Sequence, residues 1–138
     1  ALEKAKVYFQ EGKNEQVLEI CKSLEKKYSK EENANEQYFL VELKSMQSRA
    51  YLTMGNSKKA EKLADYCVKK SKKMRGKTSK ETLGCQEIQA DVWNVERKYD
   101  QAQESYQRIL DALERYYPYQ VEWYQRIVEK QKKNWRKG

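Results

Sequence analysis

A chain of 138 residues with 38% apolar and 36% charged side chains, five glycines and one proline has room for one core and excludes collagen-like and linker-like classes. Lys, Glu, Gln, Leu and Ala fill the stretches between the few breakers and favour helix by propensity, so an all-α fold in a single domain, 1–138, is expected. No run approaches the ~18 apolar residues a membrane span needs, and no apolar signal stretch opens the chain. The expectation is a soluble, intracellular, cytoplasmic protein with no membrane span. The chain starts at Ala1 with the helical pattern already running, which points to a piece of a longer protein. Lys plus Arg number 29 against 21 Asp plus Glu, a formal +8, which attracts anionic partners or simply keeps the chain soluble.

Internal periodicity comes before motifs, because it decides the fold. Gly12 in "YFQEGKNEQVLEICKSL", Gly55 in "AYLTMGNSKKAEKLADYC" and Arg97 in "DVWNVERKYDQAQESYQRI" stand 43 and 42 residues apart. The same register aligns Tyr8, Tyr51 and Trp93 before each turn, and small Ala5, Ser48 and Ala90 earlier still. After the turn it aligns Val17, Ala60 and Ala102, then Cys21, Ala64 and Tyr106, then Leu24, Cys67 and Ile109. Spacings of three and four trace one helix face, so each unit is two antiparallel helices around a tight turn.

In chain order, helices are predicted near 1–11, 14–28, 36–54, 57–73, 79–96, 99–115 and 119–136: three pairs plus one helix. The repeats are about 1–34, 35–77 and 78–118, followed by a C-terminal helix 119–137. Breaks fall at 29–35, at 74–79 and at Pro118, placed in the first turn of the last helix where no amide donor is needed. Thr78 to Glu81 reads as a capping box, with Glu81 reaching back to the Thr78 amide. The last helix keeps Ile127 and Trp135 in register, while Lys132 stands where Ala90 predicts a small residue.

These residues give the chain its resemblance to the tetratricopeptide repeat family, nearest in Gly76 to Leu110. The family repeat is about 34 residues; the longer period here is similar to that of kinesin light chain repeats and of arrays in signalling proteins. The resemblance implies a right-handed superhelix that holds a peptide or partner helix on the concave wall of first helices. It also implies leucine where Lys4, Gln47 and Gln89 stand, and glycine where Arg97 stands.

Helical phase then selects the wall: Lys6, Phe9 and Gln10, with counterparts Arg49, Leu52 and Thr53, then Glu87, Asp91, Asn94 and Val95, running from basic to acidic. Chaperone-binding arrays of this family grip a terminal carboxylate with paired lysine and asparagine; Glu87 and Asp91 would repel such a tail. Lys69, Lys70, Lys72, Lys73, Arg75, Lys77 and Lys80 form an acid-free cationic run, which suits phosphates but also suits the carbonyl end of a helix. A second cluster, Lys130, Lys132, Lys133, Arg136 and Lys137, flanks Trp135, which matches a packing position. Tyr116, Tyr117, Tyr119, Trp123 and Tyr124 surround Pro118; they pack the last helix or anchor an assembly contact.

Cys21, Cys67 and Cys85 lie at or beside packing positions and read as small buried hydrophobes. With no histidine, no glycine-rich phosphate loop and no G-x-S-x-G, neither catalysis nor a metal or cofactor is expected. The leading reading is a noncatalytic interaction module or scaffold for a protein or peptide segment. Alternatives are a nucleic-acid or acidic-surface binder using the basic run, and a regulatory or sensor segment of a larger signalling protein.

Overall fold

The computed structural model describes residues 2–28 and 34–137, the side chains of 34–36 and 135–137 excepted. Seven helices run through them: α1 (Leu2–Gln10), α2 (Asn14–Tyr28), α3 (Ala34–Thr53), α4 (Ser57–Arg75), α5 (Lys80–Val95), α6 (Tyr99–Tyr116) and α7 (Val121–Lys137). Each packs on the next, and α3 also meets α5. This is an all-α stack of helical pairs, with no strand among the described residues. The expected break at 29–35 falls mostly on residues outside the description.

The three turns inside the pairs share one geometry. Gly12, Gly55 and Arg97 all have positive φ, at 76°, 88° and 64°. In each, the turn residue's amide bonds a carbonyl three residues back (Phe9, Leu52, Asn94), and the next amide bonds the preceding Tyr8, Tyr51 or Trp93 carbonyl at 2.8 Å. This paired closure ends a helix with a residue in the left-handed region, a place glycine fills without steric cost. Arg97 fills it against that cost, roughly 1 kcal/mol or more for a residue with a Cβ. Arg97→Gly is therefore expected to raise stability by about 1 kcal/mol, read as a higher urea midpoint with unchanged slope.

Between paired helices, the registered small residues do what close approach requires. Ala5, Ser48 and Ala90 are fully buried, as are Val17, Ala60 and Ala102. The Ser48 hydroxyl donates to the Ala60 carbonyl at 2.8 Å, which satisfies the one polar member of the set. Tyr106, Ile109, Leu110, Leu113 and Ile127 complete the core that joins α5, α6 and α7.

The positions where leucine is expected from the resemblance form a polar ladder between repeats. Gln47 donates to Glu25 at 2.8 Å, Gln89 to Asp65 at 2.8 Å and Gln131 to Gln107 at 2.9 Å. Each bond runs from a first helix to the second helix of the preceding pair. Lys4, in the same register on α1, is exposed, as is neighbouring Val7 at 52%, whose counterparts Ala50 and Val92 are buried.

Two local expectations change. The cap of α5 is Ser79, one residue later than the expected box: with ψ at 153°, its Oγ accepts the Thr82 amide at 3.1 Å. Glu81 faces Arg75 at 3.8 Å instead of reaching back to Thr78. Pro118 does not open the last helix. It sits in a tight turn closed by the Gln120 amide on the Tyr117 carbonyl at 3.0 Å, with α7 starting at Val121; the ring's fixed φ suits the second place of such a turn. On α7, Glu122, Gln125, Glu129, Lys132 and Lys133 are exposed, so the face that carries Lys132 in place of a small residue is solvated.

Candidate functional site

The first helices α1, α3, α5 and α7 carry the expected wall, and its two halves differ. At the α1–α3 end, Lys6, Phe9 and Gln10 share a cleft of about 310 Å3 with Ser45, Met46 and Arg49. Lys6 and Gln10 are exposed, while Phe9 is half-buried with its inner side on the core of Val17, Leu18, Cys21, Leu43 and Ala50. Ser45 and Met46 were missed by phase: they lie one turn before Arg49 on the face that turns back toward α1. Thr53 is exposed, and its hydroxyl donates to the Arg49 carbonyl at 3.0 Å. Leu52 does not belong with them; it packs on Ala60, Ala64, Ile88 and Val92 and so joins neighbouring repeats.

At the α5 end the expected acidic wall is absent as a free surface. Glu87 is buried, with 2% of its side chain exposed. Its carboxylate accepts from Trp123 Nε1 at 2.9 Å, from Arg126 Nε at 2.9 Å and Nη2 at 2.8 Å, and from Lys130. Asp91 accepts from Lys130 at 2.9 Å and from the Tyr106 hydroxyl at 2.6 Å, with Arg49 at 4.0 Å. Burial alone raises a carboxyl pKa, but the Arg126 hydrogen bonds and the Lys130 charge outweigh it and hold Glu87 at about 2. Burial next to Asp91 pushes the Tyr106 hydroxyl well above its ordinary range.

The wall therefore does not run from basic to acidic, because α7 lays its cations over both acids. The signal was in the sequence: Glu87 and Asp91 are four apart, and so are Arg126 and Lys130, 39 residues later. Equal helical spacing lets two such pairs meet across facing helices. Asn94 stays half-exposed with its Oδ1 buried and unpaired, and Val95 is 57% exposed.

In the basic run, Lys69, Lys72, Lys73 and Lys77 are exposed and Lys70 is half-buried. Arg75 stacks 4.4 Å over the Tyr38 ring and faces Glu81. The second basic cluster is divided. Lys130 is drawn into the Glu87 and Asp91 pairs and Lys132 and Lys133 are exposed, while the side chains of Trp135, Arg136 and Lys137 lie outside the described residues. The aromatics around Pro118 divide too: Trp123, Tyr124 and Tyr117 pack on the core, whereas Tyr116 and Tyr119 are exposed.

All three cysteines are free thiols and buried. Burial pushes Cys21 up to about 11. A hydrogen bond with Cys85, then burial, raises Cys67, and the same bond lowers Cys85. Among the described residues no helix is long and apolar enough to cross a membrane, and no group of three or more Cys, Asp or Glu side chains is placed to hold a metal ion.

No protein-family model matches the chain, and no curated protein does. Among solved structures it is similar to BtubC (BKLC) from P. vanneervenii, with a TM-score of 0.66 and 17% identity over 81% of this chain. The match covers 44% of that protein, so the chain spans less than half of its neighbour's length. At this identity the likeness shows the fold alone, an all-α stack of helical repeats.

Proposed function

We propose that the chain is a noncatalytic interaction module that holds a protein segment against its first helices. The observation that carries this reading is the α1–α3 cleft, where Lys6, Phe9 and Gln10 from one repeat face Ser45, Met46 and Arg49 from the next. Side chains gathered from successive repeats onto one surface are how solenoids grip extended partners. The cations beside Phe9 and Met46 suit a segment that sets an apolar side chain next to a carboxylate. The α5 end contributes less, because Glu87 and Asp91 are already bound by Arg126 and Lys130. In this reading 1–138 is one array of long, kinesin light chain-like repeats in a right-handed superhelix, working in the cytoplasm as part of a larger protein. A regulatory or sensor role in a signalling protein would use the same cleft.

Peptides selected from a random display library against the chain supply the test. Lys6→Glu and Arg49→Glu are expected to weaken the selected peptides by about tenfold, near 1.4 kcal/mol, with helicity unchanged. Lys72→Glu is expected to leave those peptides' affinity as it was. A selection in which no peptide responds to Lys6 or Arg49 sinks the cleft reading. Loss only at Lys72, with steep salt dependence, moves it to an acidic-polymer binder.

A further inference from the structure

The lysine-rich run and the aromatics around Pro118 are far apart in sequence, yet the fold sets them side by side. The Tyr117 hydroxyl donates to the Thr78 carbonyl at 2.8 Å, tying the α6–α7 turn to the α4–α5 turn. Lys80 stands 5.8 Å from the ring centroids of both Tyr117 and Tyr119. Next to them, Arg115 lies 5.5 Å over Tyr116. Tyr117 also lines a cleft of about 260 Å3 with Leu113, Glu114, Pro118, Val121 and Tyr124. Glu114 in this cleft is engaged by the Tyr124 hydroxyl at 2.6 Å. At the rim, Tyr119 is 66% exposed and Val121 is 59% exposed.

The helix dipole explains cations in the last turn of α4, but it does not explain this whole set. Lys77 lies beyond the end of α4, and Lys80 is the first residue of α5, where a positive charge opposes the dipole. We propose that this rim is a second docking surface, for an acidic polypeptide segment that seats one large apolar side chain in the Val121 cleft and its carboxylates on the lysines. Charge complementarity sets the sign of the partner, and the apolar cleft favours a polypeptide over a nucleic acid. The surface involves none of the residues of the α1–α3 cleft and is independent of it.

The test is fluorescence anisotropy on the full chain, with a labelled Glu- and Asp-rich peptide carrying one leucine as the probe. Companion probes are the same peptide with serine for leucine and a thymidine oligonucleotide of equal charge. The leucine peptide is expected to bind saturably, to weaken with added salt, and to bind at least about tenfold tighter than the serine peptide. Val121→Glu and Lys77→Glu should each cost a similar factor, and Val121→Ser repeats the first with a smaller change if circular dichroism shows lost helix. Lys22→Glu, an equal charge change at an exposed position that lines neither cleft, should leave the affinity unchanged. Absence of saturable binding, indifference to the leucine, or an equal loss at Lys22 overturns the proposal. An oligonucleotide that binds as tightly as the peptide overturns it in favour of a nucleic-acid surface.

Discussion

Glu87→Ala is expected to destabilise the fold by about 3 kcal/mol, the lower end of the cost of breaking a buried ion pair. The low end applies because Arg126 is 54% exposed and recovers water once the carboxylate is gone, whereas Lys130, at 26%, and the Trp123 ring nitrogen recover less. Glu87→Gln keeps an acceptor for Trp123 but removes the charge, so the difference between the two variants separates hydrogen bonding from ion pairing. The pH dependence follows from the same group. Its folded pKa of about 2 lies below the ordinary value of 4.5, so its contribution is fully present above that ordinary value and is lost as pH falls through the folded one. Urea unfolding at neutral pH and near pH 3 is the measurement. The parent chain should lose more stability between the two than Glu87→Gln does, and equal losses would mean that the carboxylate does not hold α7 as a charge.

Ala90→Leu and Ala102→Leu are each expected to cost about 1–3 kcal/mol by overpacking. Both alanines are fully buried among Leu83, Tyr106, Ile109, Leu110, Leu113 and Ile127, so added methylenes have to displace neighbouring side chains or spread the helices. Val95→Ala, at a 57% exposed site of α5, the helix that carries Ala90, serves as the comparison and should stay within about 0.5 kcal/mol. Urea midpoints that do not separate the three variants would contradict the packing register.

The repeat was legible because backbone sterics and close packing are local demands written at fixed spacing. Gly12 and Gly55 mark a left-handed helix end, and the register carried that geometry to Arg97, where composition alone would have denied it. Small residues at Ala5, Ser48 and Ala90 marked close approach for the same reason. The cap of α5 was misplaced by one residue because Ser79 and Thr78 both suit the role by type, and only the backbone angle at Ser79 selects between them.

The candidate site was legible only in part. Phase places Lys6, Phe9, Gln10 and Arg49 on one wall, and that much follows from the sequence. Whether a wall residue stays open depends on what the next helix lays across it, which is a property of stacking. Glu87 and Asp91 read as exposed acids on their own helix and become bound ones because α7 brings Arg126 and Lys130 to them. Leu52 turns into the seam for a similar reason, since α4 and α5 pack on it. The pairing of the lysine run with the Pro118 aromatics likewise exists only once α6 lies beside the α4–α5 turn. Sequence determined the helices, their turns and their buried faces, through steric and hydrophobic rules that act within a repeat. Tertiary structure decided which charges remain available, because desolvation and ion pairing act between repeats, at distances the periodic pattern does not encode.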